Sequence, residues 1–136
     1  METKKMSKRA IFLSDIIVTA LEGGIGYWSQ CSKYDHGYNG EGLDEEGRTP
    51  AVAVIHEMED EGWGRYSKEA LTIDNKLVAK AFKAIMSKDE IAYVSEGWRE
   101  RMARAYKDVD DGVCDIDSGD ADCIVQIGLF GEVRYG

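Results

Sequence analysis

The sequence predicts an α+β fold, a small antiparallel β-sheet of about three strands packed with about four α-helices. Three observations carry this. Apolar residues recur at helical spacing in four stretches. Short β-branched or aromatic runs lie between the first and second of these. A chain of 136 residues can bury one core without disulfides or structural metal, so a single domain over 1–136 is expected.

The first helix is read over 8–22, where Phe12, Leu13, Ile16, Ile17, Ala20 and Leu21 share a face. Gly23 and Gly24 supply its stop and tolerate positive φ. Strands follow at 25–33 (IGYWSQCSK) and 51–58 (AVAVIHEM), and EDEG (59–62) turns the second into a hairpin with WGRYS. Between the strands, 34–50 is glycine-rich, polar and ends at the only proline, the signature of a mobile loop.

Leu77, Val78, Ala81, Phe82 and Ile85 mark a second helix. Ser87-x-x-Glu90 has the form of a capping box and is read as opening a third, with Ile91, Val94, Trp98, Met102 and Ala105 inward. Arg99, Arg101, Arg104 and Lys107 on its other side form the main basic patch, for which a solvated face is the ordinary explanation. The last helix, over 119–130, is apolar nearly all round, interrupted only by Asp122 and Gln126, four residues apart and on one side. That pair forms either a solvent strip or part of a site. EVRYG (132–136) is read as a short edge strand.

Charge excludes some functions. A net charge of −9 repels the phosphates of a duplex, so direct nucleic-acid binding is not expected. No apolar run reaches the roughly 18 residues of a membrane span, and the N-terminal stretch lacks a secretory leader's pattern, so an unprocessed intracellular protein is expected. Cys31, Cys114 and Cys123 are an odd number without C-x-x-C spacing, which fits reduced thiols, and with His36 and His56 they give no zinc-binding spacing.

Residues 108–123 hold seven aspartates and no lysine or arginine. A calcium loop needs D-x-[DN]-x-[DN]-G and an acidic twelfth residue, and the registers from Asp108 and Asp115 both fail. A metal-dependent hydrolase would use Asp115, Asp117 and Asp120, yet acids on one loop mostly face water. Capping is the better account: Asp117 or Ser118 can close the start of the last helix, and Asp120 and Asp122 sit where its dipole favours anions. Nucleophile-elbow, Walker, zincin and dinucleotide motifs are all missing, so no catalytic residue, metal or cofactor is assigned and a non-enzymatic role is expected.

TALEGGIGYWSQ (19–30) and DADCIVQIGLFGEVRYG (120–136) resemble a group of small proteins encoded by tailed bacteriophages of actinobacteria, such as mycobacteriophages. The resemblance extends over most of the chain and least over 34–50. It implies a non-virion protein made in the cytoplasm of the infected host, acting as a host-interaction or counter-defence factor by binding a host protein. The alternative it implies is sequestration of a nucleotide signal. A candidate ligand site follows from the two motifs: Gly23 and Gly24 for close backbone approach, Tyr27 and Trp28 for stacking, Asp122 and Gln126 for reading a base edge, and Arg99, Arg101 or Arg104 for phosphates. A homodimer is also expected, covering an edge strand at 132–136 and the flank of Cys123, Ile127 and Phe130.

Overall fold

The computed structural model describes residues 5–38, 47–59 and 64–136. Four helices and a three-stranded antiparallel sheet make the α+β fold that the hydrophobic pattern requires.

Helix α1 (Lys8–Gly23) starts where the Ser7 hydroxyl accepts the Ala10 N–H at 3.1 Å. It buries Phe12, Leu13, Ile16, Ile17 and Ala20. Gly24 closes it with φ −116°, so left-handed freedom is not what the glycine supplies. Its role is proximity: a Cβ there would lie 2.7 Å from the Ser118 carbonyl oxygen, at the start of the last helix.

Strand β1 (Ser29–Asp35) begins four residues later than its sequence signal, because Ile25–Trp28 turn across the core with Ile25 and Trp28 both buried. It pairs with β2 (Val52–Glu57), whose Ala53 and Ile55 face the core, and a bulge between Cys31 and Lys33 shifts the register. The third strand is β3 (Leu71–Ile73) on the far side of β2. The expected partner run is present only as a single Met58–Tyr66 bridge with Glu59–Arg65 and Ser67–Glu57 main-chain bonds. The turn at 60–63 and residues 39–46 of the expected mobile loop lie outside the described residues. Of that loop's flanks, Tyr34 and Asp35 belong to β1, and the Thr49 N–H donates to the Gly37 carbonyl at 2.8 Å.

Helix α2 (Asn75–Ile85) is capped by Asp74 and buries Val78, Ala81, Phe82 and Ile85. Helix α3 (Glu96–Lys107) starts at Ser95, not at Ser87. Ser87 instead ends α2: its hydroxyl donates to the Ala84 carbonyl at 2.7 Å and accepts the Asp89 N–H at 3.1 Å. A 3-10 turn (Gly112–Asp115) then leads to α4 (Ser118–Phe130), which stops at Gly131 in the left-handed conformation, φ 76°.

α4 packs against both α1 and α2. Gly128 allows the second approach, since a Cβ there would sit 3.0 Å from Leu77. Ala121, Ile124, Val125 and Ile127 are buried, and so are Asp120, Asp122 and Gln126, so the polar positions of α4 face protein and not water. No helix among the described residues is long and apolar enough to cross a membrane.

Candidate functional site

The aspartate-rich stretch resolves into structural roles at its α4 end. Asp117 accepts the Asp120 N–H at 2.7 Å while the Asp120 carboxylate accepts the Asp117 N–H at 3.1 Å, a reciprocal capping box. Asp120 also accepts Trp98 Nε1 at 3.0 Å and a two-pronged contact from Arg101, at 2.8 and 2.9 Å. Burial alone would raise its pKa, but Arg101, Trp98 and the Asp117 N–H together hold it below the ordinary value of 3.8. Among the described residues no three His, Cys, Asp or Glu side chains come together as a metal ion requires.

Two residues further along, Asp122 forms the second centre with Gln126. Trp28, with no exposed surface, donates its indole N–H to Asp122 Oδ1 at 2.8 Å, and the Tyr27 hydroxyl donates to Oδ2 at 2.5 Å. Gln126 Nε2 donates to Asp122 Oδ1 at 2.8 Å and to the Tyr135 carbonyl at 3.2 Å. Its Oε1 accepts the N–H groups of Arg134 and Tyr135 at 2.7 and 2.8 Å, and those two donors fix which end of the amide is oxygen. Every hydrogen-bonding direction of the buried amide is used.

The same contacts bring down the chain beyond α4. Residues 132–136 form no strand; they lie across Trp28, with the Tyr135 ring stacked on the indole at 5.0 Å and 3° between planes. The Tyr135 hydroxyl donates to Glu57 on β2, and Arg134 lies 4.1 Å over the Phe130 ring. Side-chain pairing by Gln126 replaces the sheet pairing expected for EVRYG.

The grouping of Tyr27, Trp28, Asp122 and Gln126 is therefore real, but its inner atoms are engaged within the chain. What remains open is its outer side. A groove of about 630 Å³ is lined by Tyr27, Tyr93, Asp122, Cys123, Arg134 and Tyr135, among others. Tyr27 is 51% exposed and Tyr93 is 87% exposed. Burial, and then the bond to the Asp122 carboxylate, push the Tyr27 pKa above 10.0. Burial, with the neighbouring acids, also raises the Cys123 thiol.

The remaining candidates lie elsewhere. Gly23 and Gly24 face Ser118 and serve the α1–α4 contact. Arg99 binds four carbonyls at the end of α2, those of Ala84, Ile85, Ser87 and Asp89, at 2.7–3.2 Å. Arg101 is held by Asp120, and Arg104 is exposed beside Asp108 and Asp115 in a separate cleft. None of the three lines the groove beside Tyr27.

Tyr93, Arg134, Tyr135 and Glu57 were missed by sequence reasoning. Tyr93 falls in a segment read as helix, whereas it stands at φ 68°, the only non-glycine residue at positive φ among those described. Of the features behind the dimer expectation, Ile127 is buried and 132–136 is docked instead of offering a strand edge, while Cys123 and Phe130 stay partly exposed. Comparison of the chain with protein-family models, curated proteins and solved structures found no match.

Proposed function

We propose that the chain is a non-enzymatic host-interaction or counter-defence protein of phage origin, working in the cytoplasm of the infected host by binding a host protein. The observation that carries this reading is Tyr93: a large aromatic, 87% exposed, held at positive φ beside the half-exposed Tyr27 on one groove. Left-handed backbone costs a non-glycine residue about 1 kcal/mol or more, and such outliers cluster where a side chain must be presented. Tyrosine and arginine are also the residue types that dominate protein-binding hot spots, and Arg134 lines the same groove. The acidic surface favours a basic partner through steering.

A nucleotide-sequestering role is supported less. Its base-reading groups, Asp122 and Gln126, already bond to Trp28, Tyr27 and the 134–135 backbone, and its phosphate-binding arginines lie outside the groove.

Affinity capture from actinobacterial lysate tests the proposal. The unaltered chain should retain a stoichiometric partner, and a folded Tyr27→Ala/Tyr93→Ala chain should lose it. Equal retention by both chains contradicts the assignment of this face, and failure to retain any partner at low and physiological salt contradicts the binding role.

A further inference from the structure

Residues 134–135 are held the way a domain holds a peptide. Their main chain is gripped by one side-chain amide: Gln126 accepts both N–H groups, at 2.7 and 2.8 Å, and donates to the Tyr135 carbonyl at 3.2 Å. The Tyr135 side chain enters a slot with a floor, a wall and a polar end. The floor is Trp28, stacked in parallel at 5.0 Å; the wall is Phe130, edge-on at 6.4 Å; the polar end is the Glu57 carboxylate, which accepts the phenol proton.

None of these receptor groups belongs to the held segment, and they come from the turn before β1, from β2 and from α4. Asp122 fixes them from behind by accepting the Trp28 indole N–H and the Gln126 amide N–H on one oxygen, each at 2.8 Å. Thus the receptor's aromatic floor and its amide clamp share one buried anchor. Gly131 at positive φ turns the chain back onto the slot immediately after α4.

We infer that the Trp28–Glu57–Gln126 slot is a peptide-binding site for a segment bearing a tyrosine, occupied in this structure by the chain's own Tyr135. The chemistry defines the ligand. A planar ring suits the indole, a hydroxyl donor rather than a phosphate suits Glu57, and two consecutive main-chain N–H groups suit the Gln126 oxygen. A phosphotyrosine would bring its dianion against Glu57 and is excluded from the slot. The local 132–136 segment competes at the high effective concentration of a short tether, so an incoming tyrosine segment binds by exchange. The inference does not depend on the host-protein reading, which concerns the outer Tyr27–Tyr93 face.

The test uses the full chain and the synthetic peptide GEVRYG, following the Trp28 indole N–H resonance. Peptide should shift that resonance in the Tyr135→Ala chain, with the unaltered chain requiring at least about tenfold more peptide. The peptide GEVRAG should bind the Tyr135→Ala chain about tenfold more weakly than GEVRYG, and a phosphorylated GEVRYG should not compete. Tyr135→Phe, which keeps the ring and removes the hydroxyl bonded to Glu57, is the second variant, should alanine destabilise the fold; it should take up peptide more readily than the unaltered chain. No shift in any folded variant, equal shifts with GEVRYG and GEVRAG, or equal binding of the phosphorylated peptide overturns the assignment.

Discussion

Two residues apart on α4, Asp120 and Asp122 each accept a tryptophan indole N–H, Asp120 from Trp98 and Asp122 from Trp28. Their other partners differ. Asp120 meets a guanidinium and closes a capping box, so its charge is matched by Arg101 and the helix start. Asp122 is solvated by neutral donors from Tyr27, Trp28 and Gln126 beside an open groove. The comparison teaches that one pattern, aspartate on indole, can serve a closed structural joint or the foundation of a presented surface, and that the third partner decides which.

The largest effect is expected at the buried floor. Trp28→Ala should cost about 4 kcal/mol of stability, because it opens a cavity and removes one of the three donors to Asp122, whereas Trp98→Ala, at a half-buried ring, should cost clearly less. Denaturant melts read both. Equal losses would erase the distinction between the two centres.

Next come the carboxylates themselves. Asp122→Ala leaves the Trp28 indole and the Gln126 amide without their buried acceptor, at about 3 kcal/mol. Asp120→Ala should cost about 2 kcal/mol, since Arg101, with 43% of its side chain exposed, can return to water. An Asp120 loss larger than that of Asp122 would reverse the comparison.

Smaller effects separate the centres by pH. Asp120 has a folded pKa below 3.8, so its contribution is present above the unfolded value and is lost as pH falls through the folded one. Tyr27 has a folded pKa above 10.0, so its contribution is complete below that value and declines as pH rises beyond it. Asp120→Asn should therefore flatten the acid limb of a stability profile and Tyr27→Phe the alkaline limb, each leaving the other limb unchanged.

The helices were legible because periodicity is local: α1, α2 and α4 bury the apolar stripes read from the sequence. The start of α3 was not, because Ser87 and Ser95 both precede an acidic or polar first turn, and the choice is made by Arg99 reaching back to carbonyls 10–15 residues earlier. At the site, the two motifs singled out Tyr27, Trp28, Asp122 and Gln126, and hydrogen bonds within the fold join these four side chains. Their use within the chain was hidden, because EVRYG has the composition of a strand and nothing local reveals that a glutamine amide will pair its backbone. Tyr93 was hidden for a similar reason, since a positive φ has no signature in the tyrosine itself.

Hydrogen exchange at the Arg134 and Tyr135 amides tests the central claim, that the Asp122 centre holds the docked segment while the Asp120 centre does not. In Gln126→Ala both amides should lose protection while α2 and α3 keep theirs; in Asp120→Asn both should remain as protected as in the unaltered chain. Protection that survives Gln126→Ala, or that disappears equally in Asp120→Asn, would contradict the account.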